Sequence, residues 1–215
     1  MEDDLLPEQF DDHPKREVVI ILAVFFELGL APIALLLGWL LGHPPLKTFQ
    51  WSPAAAIWGV VATVPLILLF LGMLRWPVGP LVRVKQFCDY EVVPLLEKST
   101  WSDIALISLS VGVCEEMLFR GVIQASLISL FQSWLGEWWG VPWGLSLASV
   151  IFGLFHPISF TYMVIVAILG LYLGAVWILA GNLLTVMITH ALYDFAALAY
   201  LLRLRPPGGA NSIAT

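Results

Sequence analysis

Apolar residues run through this chain in long blocks separated by short polar breaks. The blocks lie at 18–41, 54–74, 104–135, 143–155, 160–180 and 183–202. About 20 apolar residues let a helix cross the hydrocarbon core of a bilayer. The pattern therefore predicts an all-α, polytopic transmembrane helix bundle of about six spans, and up to eight if long blocks divide. The third block would reach roughly 45–50 Å as one helix, so it must tilt, protrude or break near Gly121. The fourth is short and ends at His156, directly before Pro157. Between the second and third blocks the residues mix, as in Leu81-Val82-Arg83-Val84-Lys85-Gln86-Phe87. An interfacial helix over about 81–98 and an ordinary loop both fit that stretch.

Composition narrows the class. The chain is 60% hydrophobic and 12% charged, with a mean hydropathy of +0.89, which a soluble surface would not tolerate. The 17 glycines and 14 prolines suit helices that pack closely and kink in lipid. Trp39, Trp51, Trp76, Trp101, Trp134, Trp138, Trp139 and Trp143 fall near block edges, where an aromatic belt would place them. A single membrane domain over 18–205 follows, with a motif-bearing core at about 101–200.

Charge adds orientation more than function. Much of the net charge of -6 sits in an acidic tail within residues 1–17. A short tail over 206–215, opening Pro206-Pro207-Gly208-Gly209, is expected to be disordered. Six crossings would place Lys15, Arg16, Arg75, Arg83, Lys85, Lys98, Arg203 and Arg205 on one face and leave Lys47 on the other. By the bias of basic loops, both termini are then cytoplasmic. The first apolar run is too long, and its flank too acidic, for a cleaved signal peptide, which favours a prokaryotic plasma membrane. No basic, aromatic stretch suggests a nucleic acid partner. Cys88 and Cys114 lack the spacing of a disulfide framework or a metal site.

Against this background the charges inside the blocks stand out. Each costs roughly 2.5–3.5 kcal/mol at the centre of a membrane helix, so their presence points to a site. Glu116 and Arg120 are four apart with the acid first, the favourable order for a helical ion pair. Glu115 has Phe119 at that spacing and projects about 100° away, free to face something else. That asymmetry separates a structural acid from a working one. His190 and Asp194 are also four apart on the last block, so the carboxylate can orient or charge the imidazole. His156 and His190 both fall in late apolar blocks, whereas His13 and His43 lie outside them. The pattern therefore groups Glu115 with His156 and His190. Glu27, in the first block, has no partner that sequence can name.

Glu-Glu-x-x-x-Arg at 115–120, Phe-x-x-x-His at 152–156 and His-x-x-x-Asp at 190–194 follow in the order found in the CAAX protease and bacteriocin-processing (Abi) family. The resemblance covers roughly 101–200. It implies an intramembrane endopeptidase, related to the CAAX prenyl endopeptidase, with Glu115 as general base. His156 would bind or polarise the water, and His190 would stabilise the oxyanion with Asp194 beside it. Glu116, Arg120 and Phe152 would support the site structurally. One departure is clear: position 194 often carries asparagine in these enzymes, and an aspartate donates a hydrogen bond only when protonated.

Two mechanisms fit the residues: metal-free hydrolysis, the favoured one, and a zinc site built from Glu115, His156, His190 and Asp194. The expected partners are membrane lipid and a protein or peptide with a membrane-associated terminus, prenylated or not. A non-catalytic membrane adaptor and a proton or ion translocator are the competing classes. The translocator ranks last because the polar residues form one cluster and not a path.

Overall fold

The computed structural model describes residues 15–204. The acidic stretch before Lys15, with His13, and the tail with Arg205 lie outside the described residues. Among these, the chain is all-α: α1 (Arg16–Leu41), α2 (Pro53–Arg75), α3 (Leu81–Phe87), α4 (Val93–Leu96), α5 (Trp101–Glu116), α6 (Ala125–Leu135), α7 (Glu137–Leu154), α8 (Phe160–Ala180) and α9 (Leu183–Ala199). Three π-helical stretches, Cys88–Val92, Met117–Gln124 and Tyr200–Leu204, join or extend them.

Among the described residues, four helical segments are long and apolar enough to cross a membrane: Arg16–Leu41, Pro53–Arg75, Phe160–Ala180 and Leu183–Leu204. The other long segments are α5–α6 and α7, where the charges and the close-packed glycines concentrate. Leu22, Phe25, Phe26, Ile57, Leu68, Ile168 and many other large apolar side chains face outward, as lipid-exposed surfaces require.

Helix ends follow local chemistry. Thr100 and Asp103 form a reciprocal capping box at the start of α5. Ser52, Ser159 and Asn182 cap α2, α8 and α9 with side-chain oxygens. The turn between α6 and α7 passes through Gly136 at φ 76°, a conformation L side chains rarely adopt. Arg16 of α1 bonds Asp103 of α5 at 2.7 Å, and Arg203 reaches the carbonyls of Glu97 and Ser99. These contacts gather the start of α1, the end of α4, the start of α5 and the π-helical extension of α9 at one end of the bundle.

The long third block neither breaks nor ends at Gly121. It runs from α5 through the π-helical stretch into α6. Gly121 instead seats the α1–α2 connection: a Cβ there would lie 2.5 Å from the Pro45 carbonyl oxygen. The short fourth block is longer than its hydropathy suggested, because Glu137, Gly140 and Pro142 are helical. Gly140 and Gly144, one turn apart, bring α7 against Gln132 and Ile128 of α6, and this packing outweighs the local breakers. The stretch after α2 is helical over α3, the π turn and α4, with no fully buried side chain.

Close approach also sets the α5–α9 contact. A Cβ on Gly112 would stand 2.6 Å from the Ala191 nitrogen. Gly112→Ala should therefore cost about 1–3 kcal/mol through overpacking. Gly29→Ala, where the added methyl meets nothing within 4 Å, should be neutral or gain stability. Thermal unfolding of the two variants in detergent would show the contrast.

Candidate active site

The site forms where α5 and its π-helical extension face α7, α8 and α9. Glu115 and Glu116 end α5, and Arg120 lies in the π-helical stretch, a feature frequent at functional sites. Glu116, Arg120 and Gln124 are 0%, 2% and 1% exposed. Charges buried that deeply must be paired and hydrogen-bonded. Arg120 donates from Nη1 to Glu116 Oε1 at 2.7 Å and from Nη2 to the Gly170 carbonyl at 3.1 Å. Gln124 Nε2 donates to the Gly174 carbonyl at 3.1 Å. Gly170 and Gly174 are four apart, like Arg120 and Gln124, so one polar stripe meets one small-residue stripe in register. The guanidinium also stands 4.5 Å from the centre of the Phe152 ring, a cation–π contact.

The same Glu116 oxygen accepts from His190 Nδ1 at 2.8 Å. Glu116 is thus the carboxylate that orients His190. Asp194, which the four-residue spacing suggested for that part, approaches the other ring nitrogen, Nε2, at 3.6 Å. His156 Nδ1 lies 2.9 Å from the Phe152 carbonyl. A carbonyl only accepts, so this nitrogen carries the hydrogen and Nε2 is left for the site. His156 Nε2 is 3.7 Å from Glu115 Oε1, and His190 Nε2 is 4.0 Å from Glu115 Oε2. Oε2 has no hydrogen-bond partner among the described residues. Glu115 is therefore flanked by two imidazoles without a direct bond to either.

Glu115, Phe152, His156, His190 and Asp194 line one cavity of about 280 Å³. Its walls are otherwise mainly apolar, with Leu66, Phe70 and Met73 of α2, Val84 and Phe87 of α3, and Ile165 and Leu169 of α8. The structure therefore brings the four polar residues singled out from sequence to a single space, and it places Glu116 and Arg120 behind them. His43 lies apart, in the α1–α2 connection.

Sequence reading missed several residues. Cys88, Tyr162 and Tyr193 line the cavity, yet no spacing tied them to it. Gln124 and the Gly170–Gly174 pair were visible in principle as four-residue repeats. Glu27 is in electrostatic range of Glu115, His190, Asp194 and His156, and its Oε2 is buried without a hydrogen-bond partner. The unassigned charge of the first block thus belongs to the surroundings of the site.

Residues 97–196 match the Rce1-like family model, described as type II CAAX prenyl endopeptidase Rce1-like. This region is similar to that family. No curated protein and no solved structure matches the chain. The Rce1-like region contains α5 to α8, most of α9 and every residue of the three motifs. Family and fold together support a CAAX-type protease set in the membrane, in a lipid environment with a protein or peptide substrate. Two imidazoles beside two carboxylates are by type a donor set that zinc can use. Among the described residues, however, no group of three or more His, Cys, Asp or Glu side chains has an arrangement that could hold an ion.

The shared Glu116 oxygen makes a clear difference between neighbouring glutamates. Glu116→Gln would leave Arg120 buried without its counter-charge, at a cost of about 3–5 kcal/mol. Glu115→Gln should leave the melting temperature close to wild type. Unfolding of both variants in the same detergent tests this, and equal losses would remove the distinction between a structural and a working acid.

Proposed function

We propose that this chain is an integral-membrane endopeptidase in which Glu115 activates water to hydrolyse a peptide bond. The observation that supports the reading best is the convergence of Glu115 with the Nε2 atoms of His156 and His190 in a mainly apolar cavity. A water on the cavity side of Glu115 can contact its carboxylate and His156 together. Glu115 takes one proton, and the hydroxide oxygen bonds to the carbonyl carbon. The carbonyl oxygen gains the electron pair and becomes the tetrahedral oxyanion. His190, protonated on both nitrogens, donates from Nε2 to that oxygen while Glu116 holds Nδ1. Collapse breaks the carbon–nitrogen bond, and the proton on Glu115 passes to the leaving amine.

No metal is required in this scheme, and the base and the oxyanion donor are both side chains. Asp194 lies on the oxyanion side, next to His190. The substrate is a protein or peptide with a membrane-associated terminus, of which a prenylated CAAX-type terminus is one kind. The cavity includes Leu198 and Leu201, near the end where Arg16 and Arg203 lie, and basic residues favour the cytoplasmic side. Cleavage therefore takes place towards the cytoplasmic face of the membrane.

A survey of peptide termini in the host, comparing wild type with Glu115→Gln at matched expression, tests the reading without a guess at substrate. A discrete set of termini should vanish in the variant. Unchanged termini would leave a non-catalytic membrane partner as the better account, a reading to which Asp194 already lends some weight. Cleavage by the purified chain should also persist in 1,10-phenanthroline or EDTA. Loss on chelation that zinc restores would put a metal on Glu115, His156, His190 and Asp194.

A further inference from the structure

Hydrolysis needs both an acceptor for the water proton and donors for the oxyanion, and this cavity is rich in the first and poor in the second. Glu115 and Asp194 are acceptors when ionised. His156 and His190 both commit Nδ1 elsewhere, to the Phe152 carbonyl at 2.9 Å and to Glu116 at 2.8 Å. Each can donate into the cavity only as an imidazolium. The backbone N–H of His156 is spent on the Gly153 carbonyl at 3.0 Å. Asp194 has no amide N–H to offer. Among the lining residues, Tyr162 and Tyr193 carry the only hydroxyl or amide side chains. No described residue accepts from either hydroxyl, whereas Tyr172 gives its own to the Ala62 carbonyl at 2.7 Å.

The two phenols are not equivalent. The Tyr193 ring packs edge-on against Phe70 of α2, with centroids 6.4 Å apart. The Tyr162 ring has Phe87 of α3 at 6.2 Å and His156 at 6.4 Å, so it neighbours the imidazole next to Glu115. Its backbone is pinned at the start of α8, where Tyr162 N–H donates to the Ser159 hydroxyl at 3.2 Å. Tyr162 is also in electrostatic range of both Glu115 and Asp194.

We propose that Tyr162 is a catalytic residue of this site, its phenol O–H donating to the carbonyl oxygen of the scissile bond as that oxygen becomes an anion. The proposal rests on the hydrolytic reading above. Tyr162 then supplies the neutral donor that the aspartate at 194 does not, and His190 supplies the charged one. Phe87, on the helical stretch after α2, holds the ring in place and so acts as a positioning residue.

The test uses the full chain in detergent and a synthetic peptide spanning the terminus most strongly lost in Glu115→Gln. Tyr162→Phe keeps the ring against Phe87 and His156 and should leave the melting temperature within a few degrees of wild type. Its kcat should fall about 100-fold, as for loss of one oxyanion donor, while KM stays within about twofold. Incorporating 3-fluorotyrosine at 162, which keeps the donor, should restore most of the rate. A kcat within threefold of wild type, or a rise confined to KM, would overturn the role while Glu115→Gln remained inactive. So would failure of 3-fluorotyrosine to restore the rate. If no terminus depends on Glu115, the hydrolytic reading fails first and this proposal falls with it.

Discussion

Everything near the site depends on one oxygen, Glu116 Oε1, which accepts from Arg120 at 2.7 Å and from His190 at 2.8 Å. In a low-dielectric interior, an ionised carboxylate with fewer donors would be a liability, and so would an unpaired guanidinium. Bonding the two neutralises most of that cost. It also ties the π-helical extension of α5 to α9, and through the Gly170 carbonyl to α8. A buried ion pair is weak evidence of stability by itself. Its effect here is positional: His190 is held by Nδ1, so its other nitrogen can only face the cavity.

That arrangement needs helices closer than ordinary side chains allow. Gly112 lets α5 meet Ala191 of α9, and Gly170 and Gly174 let α8 offer carbonyls to Arg120 and Gln124. Association of helices in lipid relies on packing and hydrogen bonds, since lipid tails are as apolar as leucine. The small residues therefore do more than fill space, because they expose backbone acceptors to the polar stripe. The π-helical geometry of Met117–Gln124 falls on the segment that carries Arg120 and Gln124.

Much of this was legible in the sequence, for reasons that differ by residue. Long apolar blocks fix the all-α membrane class, and the block at 160–180 coincides with α8 because Ser159 and Gly181 mark its ends. The pairing of Glu116 with Arg120 followed from spacing alone. The link from His190 to Glu116 could not, since it joins residues 74 apart and competes with the nearer-looking Asp194. The extent of α7 was hidden by Pro142 and Gly140, whose local preference loses to packing on α6. Tyr162 was invisible for the opposite reason: an aromatic residue at the start of an apolar helix reads as interface or core, and only the cavity gives its hydroxyl a context.

The division of labour among four carboxylates follows from what surrounds each. Glu116 holds both Arg120 and His190 on one oxygen and serves geometry. Glu115 has imidazoles at 3.7 and 4.0 Å, too far for a direct bond to occupy its oxygens. Asp194 shares His190 at 3.6 Å, on the cavity side where Glu115 also faces. Glu27 sits on α1, within electrostatic range of the same group. Of the four, only Glu115 is both flanked by two imidazoles and left open at one oxygen, which is what the base of the proposed hydrolysis requires. On the hydrolytic reading proposed above, His190 donates to the oxyanion with Glu116 on Nδ1, so the neighbouring acids act chiefly through the ring they surround.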